Sequence, residues 1–325
     1  MVNGFSIFLL LASLPLMALN AAESLGATRI ARWEGDRQAA FMLMFDDSLL
    51  SQVANVVPVL EANHLIATFY VNPGTGQWSS KRQVWETDLP KAGMEYGNHT
   101  MTHKGFHNDA EADAEIGGCN TVISKLFPGT KLISWGQPGG INAANWSMNA
   151  EQLSTYLKAH NLIPRPDFNS RGAMIHVKTP DEMMGLVDKA VKTGGMEAIV
   201  FHGVGGDWIV TPLPIFTAFI ERLAARRDQV WITGHIKAHQ YATERDASTV
   251  SVDSTNAKLL KVKLSCSADA NLYDQPLTLV TTVPAAWKHC LVSQGTTKTT
   301  IEVAANQVRF AALPAGGPIT LANAP

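Results

Sequence analysis

Phe41-Met42-Leu43-Met44-Phe45-Asp46-Asp47 runs from five apolar residues straight into two carboxylates. A short continuous apolar run reads as a strand buried on both faces, as in parallel sheets. Successive side chains on a strand point to opposite faces, and burying two unpaired acids inside it is costly. Asp46 and Asp47 can therefore serve one site only where the strand ends and the chain turns. In α/β proteins that place is the C-terminal mouth of a parallel sheet or barrel, where active sites lie. The same pair also fits a plain polar strand end, with Asp47 capping the next segment.

Outward from this strand, helix and strand alternate. Residues 51–62 carry Val53, Val56, Val57 and Leu60 at helical spacing, and 65–71 read as the next strand. Helices are predicted over 82–92, 110–126, 150–159, 181–193 and 213–226, with strands over 131–135, 197–201 and 229–233. Such alternation means parallel strands with helices outside, an α/β fold. Near Thr249 the pattern changes to Thr- and Val-rich runs without helical period, at 259–264, 277–283 and 299–310. The chain thus divides into an α/β unit over 37–245 and a small all-β appendage over 250–325. With no acid–histidine cluster in that appendage, a chain ending near Arg245 is expected to keep its site.

Of the 325 residues, 46% are apolar and 17% charged, and the net charge is −2. That balance, with no basic run, argues against a nucleic-acid partner held by phosphate neutralisation. Residues 5–19 are mostly apolar and are followed by small residues, which reads as a secretory signal over 1–22 and an exported protein. The stretch is short for a membrane span, so no stable span is expected after signal cleavage. The alternative is an uncleaved anchor. Three cysteines, Cys119, Cys266 and Cys290, either stay as small buried hydrophobes or leave Cys119 over from a Cys266–Cys290 pair.

His99 and His103 stand four apart. On a helical turn that spacing puts both imidazoles on one face, close enough to share a metal ion. Adding Asp47 gives a two-histidine, one-carboxylate set with an open position, a catalytic zinc arrangement. Asp46 then stands beside a ligand as a carboxylate free to accept a proton. His202 ends another apolar strand, at the same mouth if all strands are parallel.

Together, Phe45-Asp46-Asp47 and His99-Thr100-Met101-Thr102-His103 resemble the polysaccharide deacetylases of carbohydrate esterase family four. Glu95, Gly97 and Asn98 add to the likeness, and Val200-Phe201-His202 resembles the family's Leu-x-His motif. The resemblance covers about 37–241. It implies a distorted (β/α)7 barrel and one divalent metal, zinc, held by Asp47, His99 and His103. It implies Asp46 as general base, His202 as general acid and the Gly139 N–H as oxyanion donor. The implied partner is an acetylated glycan, N- or O-linked. Trp208, after the loop that follows His202, and Trp135 are candidates for stacking on sugar faces. The family's third motif opens with an arginine that steadies the base; here Gly136 replaces it, and Arg171, then Arg165, are the candidate substitutes. Asp167 is the candidate for the fourth motif. The competing readings are a non-catalytic carbohydrate-binding barrel and a metal hydrolase of non-sugar amides on the same fold.

Overall fold

The computed structural model describes residues 24–139, 148–256 and 258–324. The expected signal segment, 1–22, lies outside the described residues. The quoted strand is β2 (Ala39–Asp46), and every one of its residues is buried. Its odd residues Phe41, Leu43 and Phe45 pack with the helices. Its even residues Ala40, Met42 and Met44 face the other way, into a second core. Two covered faces are what a continuous apolar run requires.

After β1 (Thr28–Ile30), which belongs elsewhere, seven strands form a parallel sheet: β2, β3 (Thr68–Val71), β4 (Glu95–Asn98), β5 (Ile133–Trp135), β6 (Leu162–Pro164), β7 (Met196–Phe201) and β8 (Val230–Ile232). The order is β6-β5-β4-β3-β2-β7. β8 pairs with Ala39, Ala40 and Phe41, and β3 pairs with Met44, Phe45 and Asp46. Since β7 occupies the other edge of β2, β3 and β8 share one edge. The sheet splays there, and β8 fills the gap. Beyond β6 the chain returns to β7, where Ala173 N–H donates to Val200 O and Val200 N–H to Arg171 O. The result is the expected α/β architecture, a distorted (β/α)7 barrel. Its outer layer includes the helices Pro180–Thr193, opened by a Thr179 and Glu182 capping box, and Leu213–Ala224. Phe45 anchors the core between Phe69 and Phe201, at ring separations of 5.0 and 5.3 Å.

The remaining strands are β9 (Ser248–Thr255), β10 (Leu259–Cys266), β11 (Leu277–Thr282), β12 (His289–Gln294), β13 (Thr297–Glu302), β14 (Gln307–Ala312) and β15 (Ile319–Ala324). They form two antiparallel sheets, β1-β11-β14 and β13-β12-β15-β10-β9. β10 and β14 alternate buried and less buried residues as half-covered strands do. Two features correct the picture of a self-contained C-terminal appendage. The N-terminal strand β1 supplies an edge of one sheet. The interior of the β unit (Leu260, Val262, Leu279, Phe310) is also continuous with Met42, Met44, Trp231 and Tyr241 inside the barrel. The even face of β2 is thus covered by residues more than 200 positions downstream.

All three cysteines are free. Cys266 and Cys290 lie on β10 and β12, and β15 runs between those strands, so the spacing exceeds what a disulfide spans. No helix of the described residues is long and apolar enough to cross a membrane.

Candidate metal and catalytic site

The strand ends bring the predicted residues together. Asp46 is the last residue of β2, His99 follows β4 and His202 follows β7. All three strands run parallel, so all three side chains reach one mouth. Asp47 has a positive φ of 79°, which turns the chain sharply enough for both acids to face that mouth.

The His99 to His103 segment is not helical, contrary to the turn inferred from its spacing. It is a bend with positive φ at Thr100 and His103. Side chains elsewhere provide the hydrogen bonds a helix would have made. Asn72 Nδ2 donates to His99 O and Thr100 O, Asn98 Oδ1 accepts from Thr100 N–H, and Glu115 Oε2 accepts from Thr102 N–H. The bend still brings the two imidazoles together, with ring centres 5.0 Å apart.

A cation fits this cluster. The ligand atoms of Asp47, His99 and His103 all lie within 4.8 Å of one another. Asp47 Oδ1 is 3.3 Å from His99 Nε2 and 3.2 Å from His103 Nε2. It is buried and accepts no hydrogen bond among the described residues, although a buried carboxylate oxygen without a partner is expensive. His99 Nδ1 lies 2.5 Å from Gly136 O. That contact makes Nδ1 the protonated nitrogen and turns the Nε2 lone pair into the cluster. Burial pushes the Asp47 carboxyl up, but the contacts from His103 and His99 outweigh it and hold the group far below the usual carboxylate range. His103 is raised in turn by Asp47.

Asp46 is gripped by Arg165, whose Nη1 and Nη2 lie 2.5 and 2.9 Å from its two carboxylate oxygens. Burial pushes this carboxyl up as well. The Arg165 charge, with His99 and His202, wins and holds it below its ordinary value. A two-pronged pair of this kind is the strong, geometry-fixing form of the contact. Of the two candidates, Arg165 is therefore the cation that stands beside Asp46. Arg171, preferred from sequence, pairs instead with Glu197 at 3.0 Å. Gly136 is part of the exchange: a Cβ there would lie 2.7 Å from the Tyr70 ring and 3.1 Å from the Arg165 guanidinium. The guanidinium sits 4.5 Å above the Tyr70 ring centre. Tyr70 OH meets Ser134 Oγ at 2.7 Å, and Ser134 Oγ meets His235 Nδ1 at 2.7 Å. Burial pushes His235 down to about 3, so it is neutral at pH 7. Nothing in the sequence marked these three residues as support for Asp46.

His202 Nε2 lies 3.8 Å from Asp46 and 4.0 Å from Asp47, between the rings of Phe168 and Trp208. Trp208 is 48% exposed and borders a cleft of about 790 Å³ together with Asp47, Asn72, Gln77 and His103. Trp135 is buried in the helix-side core and presents no face to a sugar. Asp167 is turned to Asn169, from which it accepts two hydrogen bonds, and takes no part in the site. Gly139 is exposed, with open space where a Cβ would point.

Several known proteins resemble this chain. Residues 34–156 match the sequence profile of the polysaccharide deacetylase family. A gellan lyase from Bacillus sp. is 22% identical over 293 residues, which is 81% of this chain but 12% of that enzyme. The chain thus spans about an eighth of the curated relative it matches. A peptidoglycan deacetylase from Bacillus subtilis superposes with a TM-score of 0.45 at 18% identity, over 62% of this chain and 91% of that one. A pseudoenzyme of carbohydrate esterase family four from Bacillus anthracis gives 0.44 at 14% identity, over 62% and 65%. The matched segment, under half of the chain, contains Asp46, Asp47, His99 and His103, so the likeness to the polysaccharide deacetylase family includes the candidate site.

Proposed function

We propose that the protein is an exported, zinc-dependent deacetylase that hydrolyses N- or O-acetyl groups on a polysaccharide or oligosaccharide. The observation that carries the reading is the convergence of Asp46, Asp47, His99, His103 and His202 at one mouth, with Arg165 paired to Asp46. Two neutral imidazoles and a carboxylate suit zinc, and cobalt or nickel would also fit. A divalent cation held by Asp47, His99 and His103 supplies Lewis acidity to a water and to the acetyl carbonyl.

The chain's own residues do the rest. Asp46, kept ionised and oriented by Arg165, takes a proton from the attacking water. The Gly139 N–H is the candidate donor to the developing oxyanion. His202, with Nε2 3.8 Å from Asp46 and 4.0 Å from Asp47, gives a proton to the departing amine or alcohol oxygen. The exposed face of Trp208 beside the 790 Å³ cleft suits a sugar ring. The apolar residues near the N-terminus support export.

Acetate release measured over a panel of acetylated oligosaccharides, acetylated xylan and small acetamides tests the proposal. Release from the sugars supports it. Release confined to the small amides would make this a non-glycan hydrolase, and release from none would favour a carbohydrate-binding barrel.

A further inference from the structure

Trp208 is placed by more than packing. Nearly half its surface is open to solvent, yet its indole N–H donates to Asp47 Oδ2 at 2.9 Å. The two oxygens of Asp47 are thereby separated in role. Oδ2 is held by the indole, while Oδ1 faces His99 and His103 with no hydrogen bond among the described residues. The same ring packs nearly perpendicular to the His202 imidazole, at a centroid distance of 5.2 Å.

The loop that carries Trp208 is held in a costly shape. Asp207 and Ile209 both have positive φ, 65° and 46°, and for a β-branched residue such as Ile209 that is a true outlier. Strain of this kind persists only where the surroundings enforce it, and it gathers at functional positions. Here the enforcing contacts reach back to the turn after β2. Ser51 N–H donates to Asp207 Oδ2 at 2.7 Å, and Ser51 Oγ accepts from Val204 N–H at 3.2 Å. Asn55 Nδ2 donates to Val204 O at 2.6 Å, and Gly203 N–H donates to Trp208 O at 3.0 Å. The turn is so tight that a Cβ on Gly203 would lie 2.0 Å from Gly206 O. The segments bearing Asp47 and Trp208 are thus tied together on both sides of the Asp47 to Trp208 contact.

We propose that Trp208 is a positioning residue of the metal centre: its indole N–H holds Asp47 Oδ2 so that Oδ1 is left for the cation, while its ring, packed nearly perpendicular to the imidazole, fixes the orientation of His202. This rests on the metal-site reading above. Hydrogen-bonding partners of metal ligands set ligand orientation, and their loss lowers metal affinity by roughly 10- to 100-fold.

The test compares Zn²⁺ affinity of wild type, Trp208→Phe and Trp208→Ala by competition with a chromogenic chelator. Michaelis constants for an acetylated oligosaccharide are then measured at saturating zinc. Phe keeps an aromatic face but has no N–H; Ala has neither. Both variants should lose zinc affinity by roughly 10- to 100-fold, whereas KM should rise clearly only in Trp208→Ala. Zinc affinity in Trp208→Phe equal to wild type overturns the inference. So does a Trp208→Phe protein that, without metal, has lost its near-UV circular dichroism, because the indole would then be holding the fold and not the ligand. Wild-type protein that takes up no zinc refutes the metal-site reading itself.

Discussion

Replacing Arg165 with Met should cost stability and turnover together. The guanidinium side chain is 10% exposed and the Asp46 side chain 3%, so neither charge has water to fall back on. Met retains much of the apolar bulk over Tyr70, which leaves the lost charge and its two hydrogen bonds as the main difference. Removing one partner of a buried pair strands the other, at roughly 3–5 kcal/mol. At this chain length each kcal/mol moves the thermal midpoint by about 2 °C, so the metal-free protein should melt about 6–10 °C lower. A base that has lost its orienting fork should also cut kcat by a factor on the order of 10². Arg165→Lys keeps the charge but not the fork and should fall between the two. Calorimetry on metal-free protein and acetate release at saturating zinc read the two effects separately. A Met variant that melts and turns over like wild type would refute the idea that this pair holds the base.

His99→Ala should lose most of its metal, against about one ion per chain in wild type by elemental analysis of protein prepared without chelator; equal contents would remove Asp47, His99 and His103 as the ligand set. Asp46→Asn should keep metal and fold while turnover drops by a factor on the order of 10² to 10⁴, and wild-type turnover would assign the base elsewhere. Burial at the junction with the β unit pushes Glu244 up to about 7, with Gln275 N–H donating to it. A folded pKa above the unfolded value gives stability that is full below about 4.5 and lost as pH rises through 7, so wild type should weaken by about 2–3 kcal/mol relative to Glu244→Gln between pH 5 and 8 in urea melts; parallel pH profiles would contradict this. A chain truncated at Arg245 exposes Met42, Met44, Trp231 and Tyr241 and leaves β1 without its partner, so it should lose cooperative melting; a truncated protein with a sharp transition and bound zinc would show that the barrel stands alone.

The parts of this structure visible in sequence are those written in periodicity or in a fixed local spacing. β2 was legible because a strand covered on both faces cannot afford polar residues until it ends. The clustering of Asp47, His99 and His103 was legible because acids and histidines near strand ends carry their own chemistry. What escaped notice depends on distant contacts. β6 has three residues, Leu162-Ile163-Pro164, too few to show a period, so the residue after it had no strand end to mark it. Arg165 therefore ranked behind Arg171, though only Arg165 stands at the mouth. The bend from His99 to His103 is shaped by Asn72 and Glu115, and spacing alone suggested a helical turn instead. The place of β1 beside β11 joins residues some 250 positions apart, and no local pattern in a three-residue strand announces such a pairing.

The pairing of Arg165 with Asp46 above Gly136 shows how such contacts shape the site. A side chain on residue 136 would enter from the end of β5; the cation here enters from the end of the adjacent β6, hydrogen-bonded at its own backbone to Trp135 O. Parallel neighbours end at the same mouth, so moving the charge by one strand keeps it within reach of Asp46. The move has a steric condition, because Arg165 and Tyr70 fill the space above residue 136, and only a residue without a side chain leaves that space open. It also has a packing condition. Tyr70 must hold its ring beneath the guanidinium, and Tyr70 belongs to the core shared with Met44 and the β unit. The charge beside Asp46 is therefore supported, through one aromatic ring, by a core completed by the C-terminal strands.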